Sequence, residues 1–120
     1  VNGKALKLDV GDEANCKSVV DEILDEAGKI DLICSNAGIA GAAGCLEVEN
    51  EIWREIYEIN VSAHVYLARA AFPSMIERGG GIFLITASAA GLLTHFEAAP
   101  YSVSKHAAVA LAENLAIEYY

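Results

Sequence analysis

Three times in 120 residues a short apolar run gives way to a longer stretch with helical spacing, and that alternation limits the fold more than any other feature. The first run, Lys4-Ala-Leu-Lys-Leu8, alternates polar and apolar and stops at Asp9, which predicts a short strand. From Asp12 the spacing becomes helical, with Val19, Val20, Ile23, Leu24 and Ala27 apolar. Asp12 suits the N-cap and Gly28 the C-terminal stop. Ile30–Ser35 reads as a second strand, closed by Asn36-Ala37-Gly38. A small-residue loop runs to Gly44, and a long helix is predicted from Glu49 to Glu77. Its stripe is Ile52, Ile56, Ile59, Ala63, Tyr66 and Ala70, with Trp53, Tyr57, Leu67 and Ala71 beside it. Pro73 should kink or break it near its end. Gly79-Gly-Gly81 is a turn. Ile82-Phe-Leu-Ile-Thr86 is apolar throughout, as in a strand covered on both faces. A last helix is expected from Tyr101 to Tyr119, with Pro100 in its first turn and a small-residue face at Ala107, Ala108, Ala110 and Ala112.

Strand and helix in alternation argue for a parallel α/β sheet with successive strands side by side, and the length suits a single domain, residues 1–120. The 54% hydrophobic content agrees with elements buried on two faces. A net charge of −9 argues against nucleic acid as a partner, because such a surface repels phosphate backbones. No apolar stretch approaches a membrane span. Cys16, Cys34 and Cys45 form no CxxC, and the odd count fits reduced thiols in a cytoplasmic location. His64, His95 and His106 lack metal-ligand spacing, so no metal site is expected.

In open parallel sheets ligands sit beyond the carboxyl ends of the strands. Asp9 and Val10, Asn36-Ala37-Gly38, and Ser88 all fall at such ends. Tyr101 and Lys105 stand four apart at a helix start and therefore share a face. A phenol is a poor proton shuttle at neutral pH, but an ammonium held beside it and the positive end of a helix dipole both favour the phenolate. The pair thus suits general acid/base chemistry.

With these residues in hand, the chain resembles the short-chain dehydrogenase/reductase family. The matching segments are Leu8-Asp-Val-Gly-Asp12, Asn36-Ala-Gly38, Ile59-Asn-Val61, Ile85-Thr-Ala-Ser-Ala-Ala-Gly91 and Tyr101-Ser-Val-Ser-Lys105, in the family's order and spacing. The resemblance implies a Rossmann-like, doubly wound parallel sheet in three α/β/α layers. It also implies an oxidoreductase that interconverts an alcohol and a carbonyl with NAD or NADP. Tyr101 would be the proton donor or acceptor, and Ser88 would hold the reacting oxygen. Lys105 would assist the tyrosine and bind the nicotinamide ribose. Asn60 would anchor a relay water, and its place in an apolar helix means that its amide needs a partner. Asp9 and Val10 would contact adenine, and Asn36, Ala37 and Gly38 would line the cofactor. The substrate, a small alcohol or carbonyl compound, would meet Ser88 and Tyr101. A homodimer or homotetramer would form through the 49–77 and 101–119 helices, where Trp53 and Tyr57 suit a helix-to-helix contact.

The resemblance further implies that a glycine-rich phosphate loop precedes Val1 and that a substrate-covering segment follows Tyr120, so a polypeptide of these residues alone should bind cofactor poorly. The Gly38–Gly44 loop does not replace the phosphate loop, since it lacks G-x-G-x-x-G spacing. No G-x-S-x-G surrounds Ser88, which argues against a serine hydrolase. His95 and Phe96, in the loop before Tyr101, are candidates to line a substrate pocket. Two other functions stay open on the same scaffold: a non-catalytic binding protein, and an epimerase or dehydratase.

Overall fold

A computed structural model describes residues 3–41 and 44–119. The first helix, α1, spans Glu13–Ala27. The Asp12 side chain accepts from the Asn15 amide at its N-terminus, and Gly28 ends it at φ 72°, donating to the Leu24 carbonyl. Strand β1, Leu32–Ser35, follows. A helical stretch then runs from Asn50 to Glu77 in three parts: α2 (Asn50–Tyr57), one π-helical turn (Glu58–Ser62) and α3 (Ala63–Glu77). Strand β2, Ile82–Ile85, leads through a 3-10 turn at Ala89–Gly91 to α4, Ala99–Glu118, with Pro100 in its first turn.

The predicted element order is largely present, with four differences. Lys4–Leu8 is not a strand. A strand needs a ladder, and among the described residues this segment has no partner. Lys4 instead reaches α1, forming ion pairs with Glu22 and Glu26. The sheet described is therefore two-stranded, β1 beside β2, parallel, with Leu32 opposite Ile82 and Ser35 opposite Ile85. Secondly, the long helix is interrupted by the π turn at Asn60, which its apolar spacing does not reveal. Thirdly, Pro73 does not end α3, which continues to Glu77. Fourthly, the described helices cover one face of the sheet only.

That covered face carries Ile33 and Ser35 of β1 and Phe83 and Ile85 of β2. Val20 of α1, Ile30, and Ala71 and Met75 of α3 form the buried core, with Ile33, Leu67 and Phe72 packed against it. The Phe72 ring lies edge-on to Phe83 and to Tyr119, both at 5.3 Å, which ties α3 to β2 and to the end of α4. The alternate residues Leu32, Cys34, Ile82 and Leu84 are exposed. They are as apolar as their neighbours, so β2 has the composition of a strand covered twice but is covered once among the described residues. No described helix is long and apolar enough to cross a membrane. Of the small-residue loop, Ala42 and Ala43 lie outside the described residues.

Candidate active site

The site is assembled where the carboxyl ends of β1 and β2 meet the π turn and the first turns of α4. Lys105 is 3% exposed. Its ammonium donates to the Thr86 carbonyl at 2.9 Å, just past β2, and lies 5.8 Å from the Tyr101 ring centroid. The two residues thus share a face of α4, as their spacing requires. Thr86 in turn donates its amide to the Ser35 carbonyl at 3.0 Å, which links the ends of the two strands.

Asn60 is fully buried, and both ends of its side-chain amide bond to protein. Its Oδ1 accepts from the Ile39 amide at 2.8 Å, while Nδ2 donates to the Ile39 carbonyl and to Ser104 Oγ, both at 2.9 Å. The Ser104 hydroxyl donates to the Tyr101 carbonyl at 2.8 Å. The partners that the buried amide finds in protein are the backbone after Gly38 and Ser104 of α4. Asn60 joins three pieces of chain: the π turn, the segment leaving β1 and the tyrosine-bearing helix.

Gly38 is the point on which these groups converge. A methyl in place of its α-hydrogen would lie 3.2 Å from Asn60 Oδ1 and 3.3 Å from Lys105 Nζ. Asn36, Ala37 and Gly38 are all exposed, so this segment forms an open shelf beside a buried ammonium.

Ser88 is partly buried and caps the 3-10 turn, its Oγ accepting from the Ala90 amide at 3.1 Å. That bond uses a lone pair and leaves the hydroxyl hydrogen available to donate. The turn sits tightly on α4: a Cβ on Gly91 would come within 2.7 Å of the Lys105 carbonyl oxygen. Glycine at this position lets the turn carrying Ser88 rest directly on the helix carrying Tyr101 and Lys105. Asp9 is exposed, and its carboxylate accepts from the Gly11 amide at 3.0 Å. A Cβ on Gly11 would meet Ile59 Cδ1 at 3.0 Å, so the Asp9–Gly11 turn is seated against the π turn next to Asn60. His95 and Phe96 are exposed in the loop before α4, and the His95 amide donates to Ser102 Oγ at 3.2 Å.

The family's sequence profile, that of the short chain dehydrogenases, matches residues 2–120. The chain belongs to the short-chain dehydrogenase family. It is 39% identical over 114 residues to 1-deoxy-11-beta-hydroxypentalenate dehydrogenase of Streptomyces exfoliatus, an alignment covering 92% of this chain and 42% of that one. It is 33% identical over 121 residues to NADP-dependent mannitol dehydrogenase of Alternaria alternata, covering 99% of this chain and 46% of that enzyme. A crystal structure of a short chain dehydrogenase/reductase from Burkholderia phymatum in complex with NAD superposes with a TM-score of 0.87 at 30% identity, covering 92% of this chain and 40% of that one. The fold is therefore the α/β Rossmann type of short-chain dehydrogenases. The chain spans less than half the length of these relatives.

Sequence reasoning missed three groups that the structure ties to the site: Ser104, the Thr86 carbonyl and the Ser35–His64 pair. For His64 a signal existed, since it lies one helical turn after Asn60 on an otherwise apolar stripe. The carbonyl contact carries no signature in a side-chain sequence.

Proposed function

We propose that this chain carries the proton-transfer half of an NAD- or NADP-dependent oxidoreductase that interconverts an alcohol and a carbonyl. The observation that carries the reading is the buried Lys105 ammonium at the Asn36–Gly38 shelf. Among the described residues only the Thr86 carbonyl accepts from it, so two of its three donors have no acceptor there. A buried cation needs further acceptors, and the hydroxyls of a ribose meet that need. The residues therefore fit a nicotinamide nucleotide, with Lys105 and the Asn36, Ala37 and Gly38 shelf holding its ribose end and Asp9 and Val10 toward its adenine. When bound, that group supplies or accepts the hydride.

The chain's own residues supply the proton chemistry. The Tyr101 hydroxyl donates a proton to a carbonyl oxygen in reduction and takes one from an alcohol in oxidation. The Ser88 hydroxyl donates to the same oxygen and stabilises negative charge developing there. Asn60 fixes the shelf and the tyrosine helix relative to each other through Ile39 and Ser104. The same reading takes the partner to be a small-molecule substrate and the assembly to be a homodimer or homotetramer through the 49–77 and 101–119 helices. Exposed Tyr57, Val103 and Ile117 on those helices support it, and a monomer in sedimentation would overturn that part. The free thiols of Cys16, Cys34 and Cys45 support a reducing, cytoplasmic setting.

The deciding test is Tyr101→Phe in the protein expressed from its complete reading frame. Turnover of NADH or NADPH with a panel of ketones and secondary alcohols should fall by about 10²- to 10⁴-fold with the circular dichroism spectrum unchanged. Undiminished turnover would overturn the role of Tyr101. Product formed by the unaltered protein without net cofactor consumption would favour an epimerase or dehydratase instead.

A further inference from the structure

His64 is fully buried and the proton chemistry above does not use it. It lies four residues after Asn60, one turn along the same helical stripe. Its Nδ1 and the Ser35 Oγ are 2.6 Å apart, a hydrogen bond that either imidazole tautomer can make. Ser35 is 3% exposed and is the last residue of β1. Asn60 binds both backbone groups of Ile39. The two polar residues of this stripe therefore grip the chain on either side of Asn36, Ala37 and Gly38. Those three residues are exposed, and none of their backbone groups forms a hydrogen bond within the described residues. They span the gap between the two grips, with the Lys105 ammonium close to Gly38.

We propose that His64 is a positioning residue: through Ser35 it sets the start of the Asn36–Gly38 shelf, as Asn60 sets its end, and so fixes the surface on which the nicotinamide nucleotide rests. The proposal rests on the cofactor reading given above. Burying an imidazole at this position is costly, because its Nε2 has no partner among the described residues. An aliphatic side chain would fill an apolar helix stripe without that cost, but it would leave the Ser35 hydroxyl without its partner. The effect also reaches Lys105, because the Ser35 carbonyl accepts from Thr86, whose own carbonyl holds the ammonium.

The test uses Ser35→Ala, His64→Leu and His64→Asn in the protein expressed from its complete reading frame. Asparagine has a polar atom at the position of Nδ1 and can restore the bond to Ser35. Hydrogen exchange of the Ile39 and Thr86 amides, which donate to Asn60 and to the Ser35 carbonyl, reads the grip directly. Titration of intrinsic fluorescence with NADH and NADPH reads cofactor affinity. In Ser35→Ala and His64→Leu, those amides should exchange about three- to tenfold faster than in the unaltered protein, and the cofactor Kd should rise by a similar factor. At saturating cofactor, kcat should stay within about twofold. His64→Asn should return both readouts to within about twofold of the original. Unchanged exchange at Ile39 and Thr86 would overturn the proposal, as would acceleration spread evenly over the whole fold, or faster exchange with unchanged Kd. An unaltered protein that binds neither NADH nor NADPH would sink the cofactor reading, while the exchange measurements would still decide whether His64 holds the shelf.

Discussion

Gly91 shows how one residue connects packing to chemistry. Its missing side chain lets the turn bearing Ser88 lie against the backbone of α4 at Lys105. In Gly91→Ala the new methyl would meet the Lys105 carbonyl oxygen at 2.7 Å and Val109 Cγ2 at 3.1 Å. The first of these is backbone in a helix and cannot swing aside, so the turn must move. Overpacking of this kind costs about 1–3 kcal/mol, read as a lower urea midpoint. Because Ser88 moves with the turn, kcat should fall more than the KM for cofactor rises. A stable Gly91→Ala variant with unchanged kcat would contradict this coupling. At this scale the sequence was legible where spacing sets geometry: Tyr101 and Lys105, four apart, do share a face of α4. Asn60 was legible as a buried amide in need of a partner, but not in its partner: the Ile39 backbone is indistinguishable from any other until the chain is folded.

The elements were read from periodicity and capping residues. Both signals are local, so α1, with Asp12 at one end and Gly28 at the other, was fully legible. The Lys4–Leu8 run shows where local reading stops. Its alternation is real, and Leu6 and Leu8 are more buried than Lys4, Ala5 and Lys7 between them. Yet a strand exists only with a neighbour, and the neighbour is not a property of the run. The π turn was illegible for a related reason: one extra residue in a helical turn leaves an apolar stripe nearly intact over five residues. The same helix gives a pH prediction. Burial first, and then the charge of Lys105, hold the His64 pKa below its ordinary 6.5. The unfolded chain takes up a proton near that ordinary value while the native chain does not, so this contribution to stability is complete above it and is lost as pH falls below it. Urea midpoints of the complete protein should therefore decline between about pH 7.5 and about pH 5 more steeply than those of His64→Asn, which has no imidazole to protonate. Parallel declines would show that His64 is not the group responsible.

For the whole molecule, the decisive feature is a sheet with one face covered. Its two strands each have a single partner among the described residues, and Leu32, Ile82 and Leu84 are about half exposed on the open face. Composition had suggested cover on both faces, and the residues do carry apolar side chains on both. The chain spans 40–46% of the relatives compared above, so far less chain is present here than in the enzymes that share the fold. Unpaired strand edges next to an exposed apolar face form a template for self-association. A polypeptide of these 120 residues alone should therefore bind a hydrophobic dye and elute as a mixture of oligomers. Replacing Ile82 and Leu84 with threonine puts β-branched strand formers on the open face while removing much of its apolar area. The double variant of the 120-residue polypeptide should bind less dye and shift toward monomer. If further chain covers that face in the protein expressed from its complete reading frame, the same two substitutions should instead lower its urea midpoint, because covered apolar area is lost. If the 120-residue polypeptide is monodisperse and binds no dye, the open face is not the surface described here. If the complete protein tolerates both threonines without loss, nothing covers that face in the complete fold either.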